Sequence, residues 1–174
     1  MDLDALIPDV LVEANECPRA LILRELVGAA RHFCQETHVW EEPVGTIYPI
    51  DGLLDYSLPL PTGASIVAVT SDLNADVIPP DTVRFAGVPA DEIAVTAALQ
   101  PAYGAGVLPD QVADQYREAI VSGALSRLMM MTGRPWANPQ LVEYHSRIVS
   151  DAISRARARQ FRGYTNRPMR INVA

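Results

Sequence analysis

The sequence predicts an α+β fold, with three amphipathic helices, a small antiparallel β-subdomain inserted after the first of them, and an extended C-terminal arm. Three observations carry this. Apolar residues recur at spacings of three and four over about 18–38, 111–132 and 139–162. From about 43 to 101 they alternate instead, among clustered prolines and tight-turn dipeptides. Beyond Gly163 the chain is polar and arginine-rich, and Pro168 forbids further helix. With 174 residues the chain reads as a single domain over 1–162, large enough to bury a core, and an extension over 163–174.

Taken in order, "DLDALIPDVLVEA" predicts a short helix or strap broken at Pro8. Pro18 suits a first helical turn, where its missing N–H would have no partner anyway. After it, Ile22, Leu26, Ala29, Ala30, Phe33 and Cys34 form one apolar stripe. Gly28 interrupts that helix at a cost of about 1 kcal/mol against alanine, which points to a close helix contact there.

The middle stretch reads as short strands, "TIYPI", "DYSLPL", "ASIVAVTS", "TVRFAG" and "DEIAVTAAL", separated by "DG", "TG", "PPD" and "PAD" turns. Tyr56, Leu58 and Leu60 share one face, and Ile93, Val95, Ala97 and Leu99 share another. Prolines 49, 59 and 61 confine their strands to edges or ends.

Helical period returns in "LPDQVADQYREAIVSGALSRLMMMTG". Asp110 is its candidate cap and Gly133 its expected end. Its stripe holds Val112, Tyr116, Ala119, Ile120, Gly123, Ala124, Leu128 and Met131. Among Met129, Met130 and Met131, one is expected to face the core and another a neighbouring subunit. A "RPWANP" linker then offers Asn138 as cap and Pro139 as first helical residue. The last helix places Leu141, Tyr144, His145, Ile148, Ala152 and Arg155 in register, and Gly163 is expected to break it.

Charge is unevenly distributed. The formal net charge is -7, yet residues 1–110 hold four arginines against seventeen acids, and residues 111–174 hold ten against four. From Ser154 onward there are six arginines and no acid. Such asymmetry lets opposite faces of two copies, or of the chain and a partner, meet. It argues against a general nucleic-acid binder, because the acidic part repels phosphate. Lysine is absent, so every basic side chain can make the planar, forked contacts of a guanidinium. No apolar run approaches the roughly 20 residues of a membrane-spanning helix, and the acidic start does not resemble a signal peptide. The expectation is synthesis in a cytoplasm, with Cys17 and Cys34 as free thiols.

The chain lacks a P-loop, a dinucleotide fingerprint and an HExxH motif. Cys34 and His38, four apart, share a helix face and could form a metal pair or a thiolate–imidazole dyad. Read more simply, Cys34 is a small core residue and His38 a helix-end cation suited to the dipole. The acid pairs Glu41–Glu42 and Asp91–Glu92 are possible acid–base couples, but adjacent acids beside turns are usually solvated surface. Arg155 and Arg159 share a helix face, Arg162 follows three residues on, and Arg157 points elsewhere. These arginines read either as a solvated helix end favoured by the dipole or as a surface for an acidic partner.

The stretch "GALSRLMMMTGRPWANPQLVEYHSRIVSDAISRARARQ" resembles the head-to-tail connector, or adaptor, proteins of tailed bacteriophages. The shared pattern is a small-residue helix ("IVSGALSRLMMM"), a Gly-x-Pro-Trp-x-Asn-Pro junction and a long Ala/Arg-rich helix. "LIPDVLVEANECPRALILRELVGAARHFCQETHVW" is similar to the family's opening strap and first helix, "YSLPLPTGASIVAVTS" to its β-region, and "LPDQVADQYREAI" to the lead into the following helix. The likeness spans most of the chain.

This resemblance implies an antiparallel α-helical bundle per subunit, with about a dozen copies in a ring beneath the portal. The ring would be a structural virion component at the head–tail junction, made in the bacterial host cytoplasm and without catalysis, cofactor or metal. Its implied partners are the portal protein, neighbouring copies of itself, the next neck or tail-completion protein, and DNA passing through the channel without sequence-specific binding. Family members attach to the portal through the C-terminal helix or extension. Carried over, that assigns partner binding to Arg155, Arg159, Arg162, Tyr164, Arg167 and Arg170. An acidic channel wall would let DNA slide without sticking. The alternative reading is a nucleic-acid-binding protein using the C-terminal arginine-rich helix, and a third is an enzyme built on Cys34 and His38.

Overall fold

The computed structural model describes residues 1–70, 75–87 and 91–165, and shows a mixed α+β chain. Its first residues close over the core. Leu3 N–H donates to the Gly106 carbonyl at 2.6 Å and Leu108 N–H to the Met1 carbonyl at 3.0 Å. A 3-10 turn over Leu3–Leu6 passes directly into α1 (Ile7–Leu11), and Leu3, Leu6, Ile7 and Val10 are all buried. Pro8 was expected to break this segment; it sits instead in the first turn of α1, where no hydrogen bond is lost. Arg117 ties the segment down by donating to Asp9 at 2.7 Å.

Helix α2 (Arg19–Thr37) starts one residue after Pro18, whose carbonyl accepts from Leu21 and Ile22. Its expected stripe, from Ile22 to Cys34, is buried throughout. The helix stops at His38, which takes a left-handed conformation (φ 51°) and returns its N–H to the Cys34 carbonyl.

Among the described residues six strands follow: β1 (Glu41–Ile47), β2 (Asp55–Ser57), β3 (Ala64–Thr70), β4 (Ala75–Ile78), β5 (Thr82–Phe85) and β6 (Ile93–Pro101). They form two three-stranded antiparallel sheets, ordered β1-β6-β3 and β2-β5-β4. Strand β4 escapes the alternation argument because its four residues show no clear in–out pattern; pairing of Ala75–Ile78 with Phe85–Thr82 defines it. Glu41 and Glu42, expected beside a turn, begin β1. Nor do the sheets stand apart from the helices. β6 packs on α2, and Ala97 and Leu99 belong to the same buried cluster as Leu26 and Ala30.

The second predicted helix is two helices. α3 (Asp110–Gln115) and α4 (Arg117–Met129) are separated at Tyr116, whose backbone leaves the helical region (φ -116°, ψ 18°). Its ring packs 4.7 Å from that of Phe33, so a tertiary contact accompanies the break in an otherwise helical pattern. Pro109 occupies the cap position, and the Asp110 carboxylate pairs with the Met1 amine at 2.5 Å. α4 ends at Met129, ahead of the expected stop; Gly133 (φ 74°) lies in the turn beyond it. Met129 is buried and Met130 is exposed.

α5 (Pro139–Thr165) is 27 residues and roughly 40 Å long. It continues through Gly163, which was expected to break it; one glycine costs only about 1 kcal/mol in a helix already committed by its other contacts. Residues 163–165, expected to begin an extended arm, are helical, and 166–174 lie outside the described residues. The inward stripe also turns from the expected one: His145, Ala152 and Ala156 are buried, whereas Tyr144 is exposed.

α4 packs against both α2 and α5. Gly123 makes this close approach possible, since a Cβ there would lie 2.9 Å from Ala29 Cβ and 3.7 Å from Val149. Gly28, next to Ala29 on α2, has only the Arg127 guanidinium over it.

Candidate functional site

The arginines of α5 divide as expected, with Arg157 pointing away from the face that Arg155 and Arg159 share. Arg157 leaves the far side of α5 and grips the end of α2: its Nε donates to the Glu36 carbonyl at 2.7 Å and its Nη2 to the Glu36 carboxylate. This arginine holds two helices of one chain together. Arg155 and Arg159 behave differently. Both are exposed, and neither has a carboxylate partner among the described residues. The Nε of Arg155 donates weakly to the Asp151 carbonyl one turn back, at 3.3 Å. Four residues apart, their Cα atoms are separated by about 6 Å along α5, so both can face one partner surface.

Two depressions flank these side chains. One, ≈ 180 Å³, lies between α4 and α5 and includes Arg155 and Arg159 together with Gln115 and Glu118. The other, ≈ 570 Å³, extends from Arg159 and Gln160 across Tyr116 to Trp40, Glu41 and Glu42. Its walls are fixed by hydrogen bonds: Gln160 Nε2 donates to the His38 carbonyl at 2.6 Å, and Trp40 Nε1 to Glu42 Oε1 at 2.7 Å. Two carboxylates, Glu41 and Glu42, and one guanidinium, Arg159, line this depression, a mixed charge that suits a protein surface more than a phosphate backbone.

Of the six residues assigned to partner binding, Arg155 and Arg159 are brought together here. Arg162 and Tyr164 follow on the same helix, with side chains outside the described part, and Arg167 and Arg170 lie outside the described residues.

Among the described residues no hydrogen bond joins the Cys34 thiol to the His38 ring. The two meet through backbone, His38 N–H to Cys34 carbonyl at 2.8 Å. Burial pushes the Cys34 thiol up to about 12, against a smaller opposing pull from the Arg31 charge, so it is protonated near neutral pH. Among the described residues no group of three or more His, Cys, Asp or Glu is placed to hold a metal ion. Glu42 of the first acid pair accepts from Trp40, while Asp91 and Glu92 are both exposed.

Several roles were not legible in the sequence. Arg31 is buried, donates to the Pro101 carbonyl and stacks 3.7 Å from the Tyr103 ring centroid, joining α2 to the end of β6. His145 is buried with its Nε2 3.1 Å from Glu13 Oε2, linking α5 to the segment after α1. The turn at Tyr48–Leu54 exposes four large apolar side chains; the only signal was a run of apolar residues around "DG". The chain matches no protein-family model, and no curated protein matches it.

Proposed function

We propose that this chain is a structural adaptor of a tailed phage, which forms a ring beneath the portal and joins the DNA-filled head to the tail. The observation that carries this reading is the division of labour among the arginines. Arg157 is engaged within the chain, while Arg155 and Arg159 lie on one exposed face with no carboxylate partner among the described residues, within the acid-free stretch. Forked donors with no carboxylate partner among the described residues suit carboxylates on a second surface.

The arrangement of helices supports the same reading. α4 packs against both α2 and α5, a three-helix packing that suits the bundle the resemblance implies. The role is mechanical, supplying shape and charge; no reactive side chain is asked for. In the assembled ring the acid-rich portion would line or flank the channel and repel DNA phosphate.

The test is co-sedimentation with portal protein. Wild type is expected to move with the portal. Removing Gly163–Ala174, or replacing Arg155 and Arg159 together by alanine, is expected to weaken that association at least tenfold, about 1.4 kcal/mol. Undiminished binding by both variants refutes the assignment of this end as the attachment point. Salt-sensitive binding to DNA in place of portal binding would favour the nucleic-acid reading.

A further inference from the structure

We propose that the turn between β1 and β2, residues 48–54, docks into an apolar cleft beside α2 on a second copy of this chain. The inference rests on the self-assembly part of the reading above and assigns the two surfaces that meet.

The turn is an ordered apolar projection. Tyr48 is 67% exposed and Ile50 59%, with Leu53 and Leu54 also exposed. Their backbone is held from below. The Tyr56 hydroxyl accepts from Ile50 N–H at 3.0 Å and donates to the Leu53 carbonyl at 3.1 Å, and Leu53 N–H closes onto the Ile50 carbonyl at 3.0 Å. Just past the turn, Arg84 clasps both Asp55 oxygens at 2.6 Å across the β2–β5 pair. A projection fixed this way loses little conformational entropy on binding. Clustered exposed apolar side chains of this size mark an interaction surface.

The matching cavity is a cleft of ≈ 560 Å³ lined by Leu23, Val27, Gly28, Arg31, Tyr103 and Gly106. Tyr103 stands 88% exposed at its edge, steadied by the Arg31 guanidinium 3.7 Å from its ring centre. Charge agrees with shape. The turn carries one acid, Asp51, and no base; the cleft carries Arg24 and Arg31 against Glu25, one positive charge in excess.

The turn cannot serve its own cleft. Ile47, where the turn begins, pairs with Ile93, whereas Arg31 at the cleft binds the Pro101 carbonyl. Those positions are eight residues apart on β6, roughly 26 Å. Two different patches at opposite ends of one strand make a head-to-tail contact, which repeats from copy to copy and closes a ring when the rotation permits.

Disulfide trapping tests the pairing, with the buried Cys17 and Cys34 left in place. Ile50→Cys and Leu23→Cys chains, mixed under oxidising conditions, are expected to form their mixed disulfide roughly tenfold more than Ile50→Cys with Met130→Cys. Ile50→Asp, at an exposed position, is expected to lower the sedimenting mass of concentrated protein with an unchanged circular dichroism spectrum. A mixed disulfide no more abundant than the control overturns the proposal. If the chain still binds portal in that case, the adaptor reading stands without these surfaces; if the disulfide is enriched and portal binding is absent, the copy-to-copy contact stands and the adaptor reading falls.

Discussion

Arg157 and Glu36, 121 residues apart in sequence, join the last helix to the end of the first long one through a carbonyl hydrogen bond and an ion pair. Their side chains are 57% and 40% exposed, so water and salt screen the pair. Arg157→Ala is expected to lower stability by about 1 kcal/mol, read from urea unfolding, with the loss shrinking in high salt. Arg155→Ala and Arg159→Ala, which remove no carboxylate contact among the described residues, should each stay within about 0.5 kcal/mol of wild type.

The two helix glycines should respond oppositely to alanine. At Gly28 the added methyl meets only the movable end of Arg127, so the gain in helix propensity dominates and stability rises by up to about 1 kcal/mol. At Gly123 it meets Ala29 Cβ at 2.9 Å between packed helices, and overpacking of about 1–3 kcal/mol exceeds that gain. Thermal unfolding of the two variants checks the contrast, and Ala29→Gly should rescue Gly123→Ala.

Cys34 sets an alkaline limit. Its thiol is held at about 12 in the folded chain against 9.0 as its ordinary value, because burial disfavours the thiolate. The unfolded chain therefore releases this proton first, and stability that is intact below pH 9 declines as pH rises toward 12. Burial shifts the Cys17 thiol in the same direction. Cys34→Ala should flatten the decline in stability measured between pH 9 and 11. At pH 8 a thiol reagent should label Cys34 of the native chain only at the rate of opening.

Substituting Arg155 and Arg159 tests the proposed partner class. Replacing both by glutamate should abolish association with an acidic protein surface while leaving the Glu36–Arg157 contact intact. Measured by co-sedimentation and by band shift in low salt, loss of protein binding without prior DNA binding is expected.

Much of the fold was legible because burial imposes a period. The stripe from Ile22 to Cys34 is the buried face of α2, and Val95, Ala97 and Leu99 are buried on β6 as expected, although Ile93 is only half-buried and Ala98 and Gln100, on the other face of this central strand, are buried as well. The legible part ended where a distant contact outweighed a local preference. Nothing in "DQYREA" announces that the helix yields at Tyr116 beside the Phe33 ring, and Gly163 looked like a stop although α5 continues past it. β4 is visible only through its pairing with β5. Within the candidate site, the shared face of Arg155 and Arg159 follows from their spacing, whereas the anchoring of Arg157 depends on where α2 happens to end.

By itself, the sequence determined the α+β class, the principal apolar stripes and the concentration of cationic side chains toward one end, because each is a local consequence of side-chain period and type. Only the tertiary structure decided which arginine is held internally, which apolar turn stays uncovered and which thiol is shut away from water. Those outcomes depend on groups far apart in the chain, whose burial and distance exist only after the helices and sheets have packed.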